Sequence, residues 1–556
     1  MNTIKKKSNW FLILLYVGVS CLYLFLIYKR YYNVPVSTFD DQLQVTLAKN
    51  ISQGNWLGMY DIRTLAKGIT YPVFLVGVHF SHLPLWIVQA GFTYFSVVLL
   101  SMSINPLIKN RYVRLIAFAS LILNPILFDT TQASLYRDSI AYGLVCCILA
   151  WILGSFTQVV LKKSWVGAFI YAVVGIVFLP AWINLREDSF WIYPMLIVAL
   201  IIISIVVIVK MVSTKRFSIT ILIIFLPILS AIGVNNFIAN QNDSHYGRKV
   251  VNDYMSKDFE KAYGSLTRVK TDEWVINVPV NSQMRKKLYR TVPAMKQLKP
   301  YLDNNGNGSQ ETFKNYGVKG PLIGQDYQGG WFFWALRGAI QDSGNADNAE
   351  EFHKYNNLIS KQVDEAISSG SLKGGSKERA SLTPVFRKEY VIATLKFIPK
   401  LDKIFLYSDI KYQIKPSILS NENYDTMRFV KVGFTTNNYD QYHGKLKMLH
   451  SIKTIFSIYT IVGFIISVFV ILGFIYQLIR RKIQEIDIWK FVILLGLIAE
   501  LVLRIIMLSY VSISSFESYG YNYLSTVFPL MMLTIAISLD VTIYFIGYVK
   551  KNNPKR

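Results

Sequence analysis

The chain has 556 residues, of which 52% are hydrophobic, and its mean hydropathy is +0.33. Apolar runs of about twenty residues recur, each long enough to cross a hydrocarbon core of roughly 30 Å, which excludes a soluble protein. The formal net charge of +25 does not indicate nucleic-acid binding, because the basic residues sit at the ends of the apolar runs, where the positive-inside rule and anionic lipid head groups favour them.

The N-terminus carries three lysines, Lys5 to Lys7, before an apolar stretch that runs from Trp10 to Tyr28. This pattern is similar to a signal sequence, but no small-residue cleavage site follows it. We therefore predict an uncleaved anchor helix.

Ten spans are predicted from the lengths of the apolar runs, and the third is short because it ends at Asn124-Pro125. They lie near 10–28, 82–104, 115–128, 139–161, 165–182, 191–210, 217–238, 452–479, 489–511 and 522–547.

The orientation follows from the loops, since every even-numbered loop and the C-terminal tail are basic. These residues are Lys109, Arg111, Arg114, Lys162, Lys163, Lys210, Lys215, Arg216, Arg480, Arg481, Lys482, Lys550, Lys551, Lys555 and Arg556. We predict a multi-pass protein of the cytoplasmic (plasma) membrane with both termini in the cytoplasm.

The predicted fold is a polytopic all-α membrane protein with about ten transmembrane helices and one large, mainly helical extracytoplasmic domain. Residues 1–238 form an N-terminal module of seven spans with an external loop at 29–81. Residues 239–451 form the external domain, and 452–556 form a C-terminal module of three spans. The middle of the external domain resembles a helical hairpin, 331–337 followed by 349–367.

Two adjacent carboxylates, Asp40 and Asp41, follow the first span by about a dozen residues. Such a pair above a membrane can bind a divalent cation, or one of them can act as a base. The alternative is structural: Ser37 or Thr38 caps a helix, and the acids favour its first turn.

The short polar turn Arg186-Glu187-Asp188 separates two spans and is flanked by aromatic residues. Three charges at this depth line a cavity, or they form an interfacial turn with its aromatic belt.

Two further places put charges at or within spans. Arg137 and Asp138 open the fourth span, where Asp138 is also compatible with a simple first-turn acid. Glu500 and Arg504 lie four residues apart in the ninth span, so they share one helix face and must pair or face a polar cavity. We interpret them as a structural ion pair. A functional role would require that this helix face lines the external cavity.

Several kinds of site are excluded. The histidines show no metal-ligand spacing, and there is no Walker loop or dinucleotide glycine motif, which argues against ATP-driven transport. All three cysteines lie in apolar runs, which leaves no disulfide framework: Cys21, Cys146 and Cys147.

The chain resembles the GT-C superfamily of integral-membrane glycosyltransferases over roughly 10–200 and 490–547. The matching features are the acidic pair in the first external loop, the prolines that open and close spans, the charged start of the fourth span, and an aromatic segment before the last span. They stand at Phe39-Asp40-Asp41, Tyr71-Pro72, His82-Leu83-Pro84, Asn124-Pro125, Arg137-Asp138, Tyr521-Asn522-Tyr523 and Phe528-Pro529.

The resemblance implies a bacterial enzyme that moves a sugar from a polyprenyl-phosphate donor to a glycan, lipid or protein acceptor at the cell surface. Asp40 or Asp41 would be the base, or would hold a divalent metal ion as the sole candidate cofactor. Arg137 or Arg186 would bind the phosphate, with Glu187 and Asp188 as second acidic candidates.

Two alternatives remain beside a glycosyltransferase. One is a transporter or flippase for lipid-linked glycans, in which the same charges guide a phosphate head group without chemistry. The other is a polysaccharide polymerase or ligase. No internal repeat is visible, although repeats are typical of transporters.

Overall fold

The structure is a computed structural model that describes residues 2–32, 39–211, 217–321, 324–375, 377–412, 421–432, 439–480 and 484–552. Across these residues the secondary structure consists of helices and one small antiparallel hairpin, joined by turns and irregular loops. The protein is a polytopic all-α membrane protein, as the sequence predicts.

The elements alternate long apolar helices with short amphipathic ones. In chain order they are α1 Asn2–Ile27, α2 Asp41–Ser52, α3 Thr70–Ser81, α4 Leu85–Ile104, α5 Arg111–Ile122, α6 Asp138–Phe156, α7 Trp165–Ile183, α8 Tyr193–Met211, α9 Phe217–Tyr246, α10 Lys257–Leu266, α11 Ser282–Thr291, α12 Pro293–Leu302, β1 Val318–Gly320, β2 Gly324–Asp326, α13 Gly329–Asp342, α14 Ala349–Ser368, α15 Lys388–Phe397, α16 Asp402–Phe405, α17 Asn421–Phe429, α18 Tyr439–Ile479, α19 Glu485–Ser514, α20 Tyr521–Leu524 and α21 Phe528–Asn552.

Ten helical stretches of the described residues are long and apolar enough to cross a membrane, which confirms the predicted number. They are Trp10–Ile27, Leu85–Ile104, Arg111–Phe128, Asp138–Leu161, Trp165–Ile183, Ser189–Val209, Phe217–Tyr246, Gly444–Ile479, Ile486–Ser514 and Tyr521–Ile546.

The structure of the third stretch explains why the apolar run predicted for the third span is short. Helix α5 stops at Ile122, and a 3-10 turn begins at Pro125, whose ring nitrogen has no hydrogen to donate. The side-chain oxygen of Asn124 accepts a hydrogen bond from the backbone amide of Ile126 and so caps the start of the turn. The two pieces together give the length of a span.

Helix α6 lies at the centre of the membrane helices. Every residue from Asp138 to Phe156 is buried, and α6 packs between α4 and α7. On the other side of the bundle, α21 packs against α5, α18 and α19. The charged residues at the start of α6 therefore stand at the end of the most enclosed helix.

A second hydrophobic core lies outside the bundle and joins two distant parts of the chain. Leu47 and Leu65, from the first loop, share this core with Phe259, Leu336 and Phe352. We call residues 246–372 the polar domain, and they build this core together with residues 39–69 of the first loop. Helices α13 and α14 fall where the sequence predicts a helical hairpin.

The later part of the predicted external segment packs differently. Leu401, Tyr407 and Val430 belong to the hydrophobic core of the membrane helices, not to the core of the polar domain. Tyr407 is fully buried and accepts a hydrogen bond from Asn124 at 3.2 Å. The predicted segment 239–451 therefore contains two parts that pack differently. Its later part packs on the membrane helices, because the apolar residues around 398–412 supply a face that these helices bury.

Some predictions fall on residues outside the described ranges. These are the alternative helix caps and several basic loop residues: Ser37, Thr38, Lys215, Arg216, Arg481, Lys482, Lys555 and Arg556.

Candidate functional site

Asp40 and Asp41 stand at the start of α2 but play different parts. Helix α2 begins at Asp41, which lies in the first turn, and Asp40 occupies the cap position without making a side-chain cap. The Asp40 carboxylate instead accepts from Lys67 Nζ at 2.8 Å and from the Tyr136 hydroxyl at 3.0 Å. The structure thus ties Asp40 to two other segments of the chain.

Lys67 is brought to Asp40 by a close backbone contact at the next residue. A Cβ on Gly68 would lie 2.1 Å from the carbonyl oxygen of Asn184, so only glycine allows this approach. The amide of Thr70 donates to the same oxygen at 3.2 Å. These contacts place Lys67 beside the turn that carries Arg186, Glu187 and Asp188.

The ionisation of Asp40 follows from this pairing. Burial alone raises the pKa of the carboxyl, but the nearby ammonium of Lys67, with Arg137 and the Tyr136 hydroxyl, outweighs it, so the pKa lies below its ordinary value. Asp40 is therefore a carboxylate at neutral pH, already engaged by a cation.

The start of α6 pairs with the short turn between α7 and α8. Arg137 donates to Glu187 at 2.9 Å, and Asp138 accepts from Arg186. Arg186 also donates to Asp188 at 2.8 Å. The two predicted groups of charges, which are about fifty residues apart in sequence, therefore meet.

Arg504 joins the same cluster from α19. Its guanidinium lies 2.9 Å from Asp188 and donates to the backbone carbonyl of Tyr523 at 3.2 Å. Asp188 is thus shared by Arg186 and Arg504, which hold its pKa well below the ordinary value despite the opposing effect of burial.

The predicted Glu500–Arg504 ion pair is not formed among the described residues. Arg504 reaches the turn at Asp188, whereas Glu500, one helical turn away, faces apolar neighbours and has one carboxyl oxygen without a hydrogen-bond partner. Sharing one helix face does not make two side chains partners when a carboxylate from another segment lies closer to the arginine.

The cluster balances its charges. Lys67, Arg137, Arg186 and Arg504 each contact at least one of the carboxylates Asp40, Asp138, Glu187 and Asp188. Buried ion pairs of this kind hold each other ionised and fix side-chain geometry. The Nε groups of Arg137 and Arg504 are buried without a hydrogen-bond partner, so part of each guanidinium is unsatisfied.

A polar cavity of about 370 Å³ opens beside this cluster. Carboxylates, hydroxyls and one amide line it: Asp40, Asp41, Thr130, Thr131, Ser134, Tyr136, Asp138 and Asn522. Within the described ranges no group of three or more His, Cys, Asp or Glu side chains is arranged to hold a metal ion. The lining groups are instead hydrogen-bond acceptors and donors of the kind that bind a polyhydroxylated molecule.

An apolar cavity of about 230 Å³ lies next to the cluster, between α6, α8 and α19. Leu149, Met195, Gly496 and Leu503 contribute to its wall, and Glu500 is the acidic residue at its edge. Because Leu503 and Arg504 are adjacent on α19, the charged cluster and the apolar cavity are neighbours.

Sequence reasoning missed Lys67 and Trp334 and gave no role to Asn522 as a cavity residue. The Nζ of Lys67 lies 5.4 Å from the ring centroid of Trp334. A lysine followed by glycine is the only local signal at Lys67, and it does not reveal that the glycine touches a turn more than a hundred residues away.

Comparison with known proteins does not assign the chain to a family. No protein-family model matches the chain, and no curated protein matches it. Among solved structures it is similar to the crystal structure of ArnT from Cupriavidus metallidurans in the apo state, with 10% identity and a TM-score of 0.32, over 96% of this chain and 78% of that chain. A similarity this weak carries no argument about function.

Proposed function

We propose that the protein is a membrane glycosyltransferase that moves a sugar from a polyprenyl-phosphate donor to a cell-surface acceptor on the external face. One observation carries the proposal: a carboxylate-lined polar cavity, a cluster of arginines and an apolar cavity adjoin one another. They match the three chemical parts of such a donor, which are a polyol, a phosphate and a hydrocarbon chain.

The sugar is assigned to the polar cavity. Asp40, Asp41 and Asp138 accept hydrogen bonds from hydroxyls, and the Asn522 amide can both donate and accept. A cavity of about 370 Å³ is large enough for a sugar ring, since ligand pockets of this class start at about 300 Å³.

The phosphate is assigned to the arginines beside the cavity. A guanidinium binds phosphate through two parallel N–H bonds. Some N–H groups of Arg137 and Arg186 already donate hydrogen bonds to Glu187, Asp138 and Asp188. The phosphate therefore engages the remaining N–H edges while the carboxylates keep the arginines in place.

The chemical step is a displacement at the anomeric carbon. The acceptor hydroxyl loses its proton to a carboxylate, its oxygen forms the new bond to the anomeric carbon, and the bond from that carbon to the phosphate oxygen breaks. Polyprenyl phosphate leaves with the bonding electrons. Either Asp40 or Asp41 takes the proton. Lys67 keeps the Asp40 carboxyl ionised, which a base requires.

Orientation is part of the proposal. The basic loops support an orientation with both termini in the cytoplasm and the polar domain outside. The polar domain then adjoins the cavity from the external side, in a position to present the acceptor.

The test is transfer from a radiolabelled polyprenyl-phosphate hexose by the purified full-length protein, with membrane extract as acceptor. We expect Asp40→Asn or Asp41→Asn to lower transfer by about 10²- to 10⁴-fold without loss of the folded protein. Glu350→Gln, on the exposed face of α14, is the matched carboxyl-to-amide control and should retain activity.

Full activity in both aspartate variants would refute the assignment of the base. Movement of the intact lipid across proteoliposomes without release of polyprenyl phosphate would instead support a flippase.

A further inference from the structure

One helix of the polar domain reaches the Asp40–Lys67 pair. Trp334, on α13, is 5% exposed, and its ring lies 5.4 Å from Lys67 Nζ. The same ring packs against Phe39, the residue before Asp40, with 5.0 Å between the ring centroids. A single side chain of the polar domain thus contacts both the lysine and the segment that carries its carboxylate partner.

Helix α13 is fixed at the end nearest the first loop. Arg337, fully buried one turn beyond Trp334, donates to the Ile62 carbonyl at 2.8 Å and to Asp253 at 2.6 Å. The amide of Asp253 in turn donates to the carbonyl of Leu65 at 2.8 Å. The backbone leading to Lys67 is therefore held by the polar domain.

The other end of α13 is fixed to the membrane helices. The amide of Gly329 donates to the carbonyl of Ser515 at 2.7 Å and to that of Asn277 at 2.9 Å. A Cβ on Gly329 would lie 2.5 Å from the Ser515 oxygen. The helix is held at both ends, so the Trp334 ring has a defined place relative to the cavity.

Lys67 has other acceptors within reach of its flexible side chain. The Tyr136 hydroxyl lies 3.4 Å from Nζ, and the Glu187 carboxylate interacts with Lys67 through its charge. An aromatic face attracts an ammonium and, when desolvated, favours one position over others.

We propose that Trp334 is a positioning residue of the polar domain whose ring face holds the Lys67 ammonium on Asp40. The inference deepens the proposed function, because Asp40 is a candidate base there. It rests on the contacts of α13 and can be tested without any transfer assay, so its failure and that of the proposed function are distinguishable.

The test measures the accessibility of Lys67 in the full-length protein in detergent. Amines are labelled with isotopic acetic anhydride at several pH values, and the modification rate of Lys67 is read by mass spectrometry against exposed Lys354. In the wild type we expect Lys67, which is 8% exposed on its side chain, to be protected. Asp40→Asn removes the carboxylate partner and should raise the rate.

Trp334→Leu should raise the Lys67 rate by about 2- to 30-fold, the range that corresponds to a cation–π contact. Trp334→Phe keeps a ring and should restore most of the protection. The matched control is Trp331→Leu, three residues away on the same helix, where the ring stacks on Phe313 and Tyr316 and should not affect Lys67.

A shape-preserving variant covers the case in which Trp334→Leu does not fold. Trifluorotryptophan placed at 334 by stop-codon suppression withdraws charge from the ring face and should also raise the rate. An unchanged Lys67 rate in the fluorinated protein overturns the proposal, and so does an equal increase in Trp331→Leu.

Discussion

Gly68 shows how one missing side chain sets the position of a charge. The atom that a Cβ would meet, the Asn184 oxygen, belongs to the backbone, so it cannot rotate away as a side chain could. Lys67 lies beside the turn of Arg186 to Asp188 only as long as this contact stays close. The geometry of the charged cluster therefore depends on a residue that carries no chemistry.

We expect Gly68→Ala to lower the free energy of unfolding by about 1–3 kcal/mol, as overpacking does in a tight interior. The measurement is the thermal unfolding midpoint of the detergent-solubilised protein. Gly77→Ala, in the middle of α3 where nothing lies within 4 Å of the added Cβ, is the control and should be neutral or stabilising, since alanine favours helix. Equal midpoints for the two variants would contradict the contact.

Helix α19 carries two buried ionisable side chains that have opposite effects on the stability of the fold. Arg504 is 1% exposed and finds Asp188 as its partner. Glu500 is also 1% exposed, but it borders the apolar cavity and leaves one oxygen unsatisfied. An unsatisfied buried polar group costs stability, whereas removing one partner of a buried pair destabilises the fold because it leaves the other charge uncompensated.

We expect Arg504→Leu to destabilise the protein by about 1–3 kcal/mol, because Asp188, which is 25% exposed, loses one of its two arginines. Glu500→Leu should instead stabilise it by about 1–3 kcal/mol, because it removes a buried carboxyl oxygen that has no hydrogen-bond partner. Both values come from unfolding of the same preparation. A loss of stability in Glu500→Leu would mean that the carboxyl has a partner that matters.

At the scale of the whole molecule, the polar domain and the first loop are one folding unit. Asp253 joins them, since its amide donates to the first-loop carbonyl of Leu65 and its buried carboxylate binds Arg337, which donates to the carbonyl of Ile62. The same carboxylate contacts His353 at 3.0 Å. Burial raises the pKa of Asp253, but Arg337 and His353 outweigh this effect and lower it. A carboxyl whose pKa is lowered on folding stabilises the fold above its unfolded pKa, near about 3.9, and loses that contribution as the pH falls through the folded value.

Asp253→Asn should therefore destabilise the protein by about 3–5 kcal/mol at neutral pH, since Arg337 is left buried without its counter-charge. The gap to the wild type should close as the pH falls below about 4, where the wild type loses the same charge. Unfolding followed by tryptophan fluorescence from pH 7 downward gives both values. Asp347→Asn, at an exposed position, is the control, and a gap that does not change with pH would contradict the assignment.

The sequence is a good guide wherever a property depends on local composition. The lengths of the apolar runs predict the ten spans, and Arg137-Asp138 and Arg186-Glu187-Asp188 are recognisable as charges at membrane depth, where ionisable residues are rare. The sequence therefore identifies these charged residues, and the structure adds the contacts between them.

The pairings within the cluster depend on tertiary contacts and could not be predicted. The spacing of Glu500 and Arg504 predicts a shared helix face, but the partner of Arg504 comes from another segment. Trp334 reaches Lys67 because two core-forming segments about two hundred residues apart fold together. No periodicity in either segment carries that information.

The charge balance of the cluster has a thermodynamic consequence for any anion that enters. Its four cations are matched by four carboxylates. A phosphate therefore adds negative charge to a cluster that is already balanced, and electroneutrality favours proton uptake on binding. Titration of polyprenyl phosphate by calorimetry should then give a heat that varies with the ionisation enthalpy of the buffer.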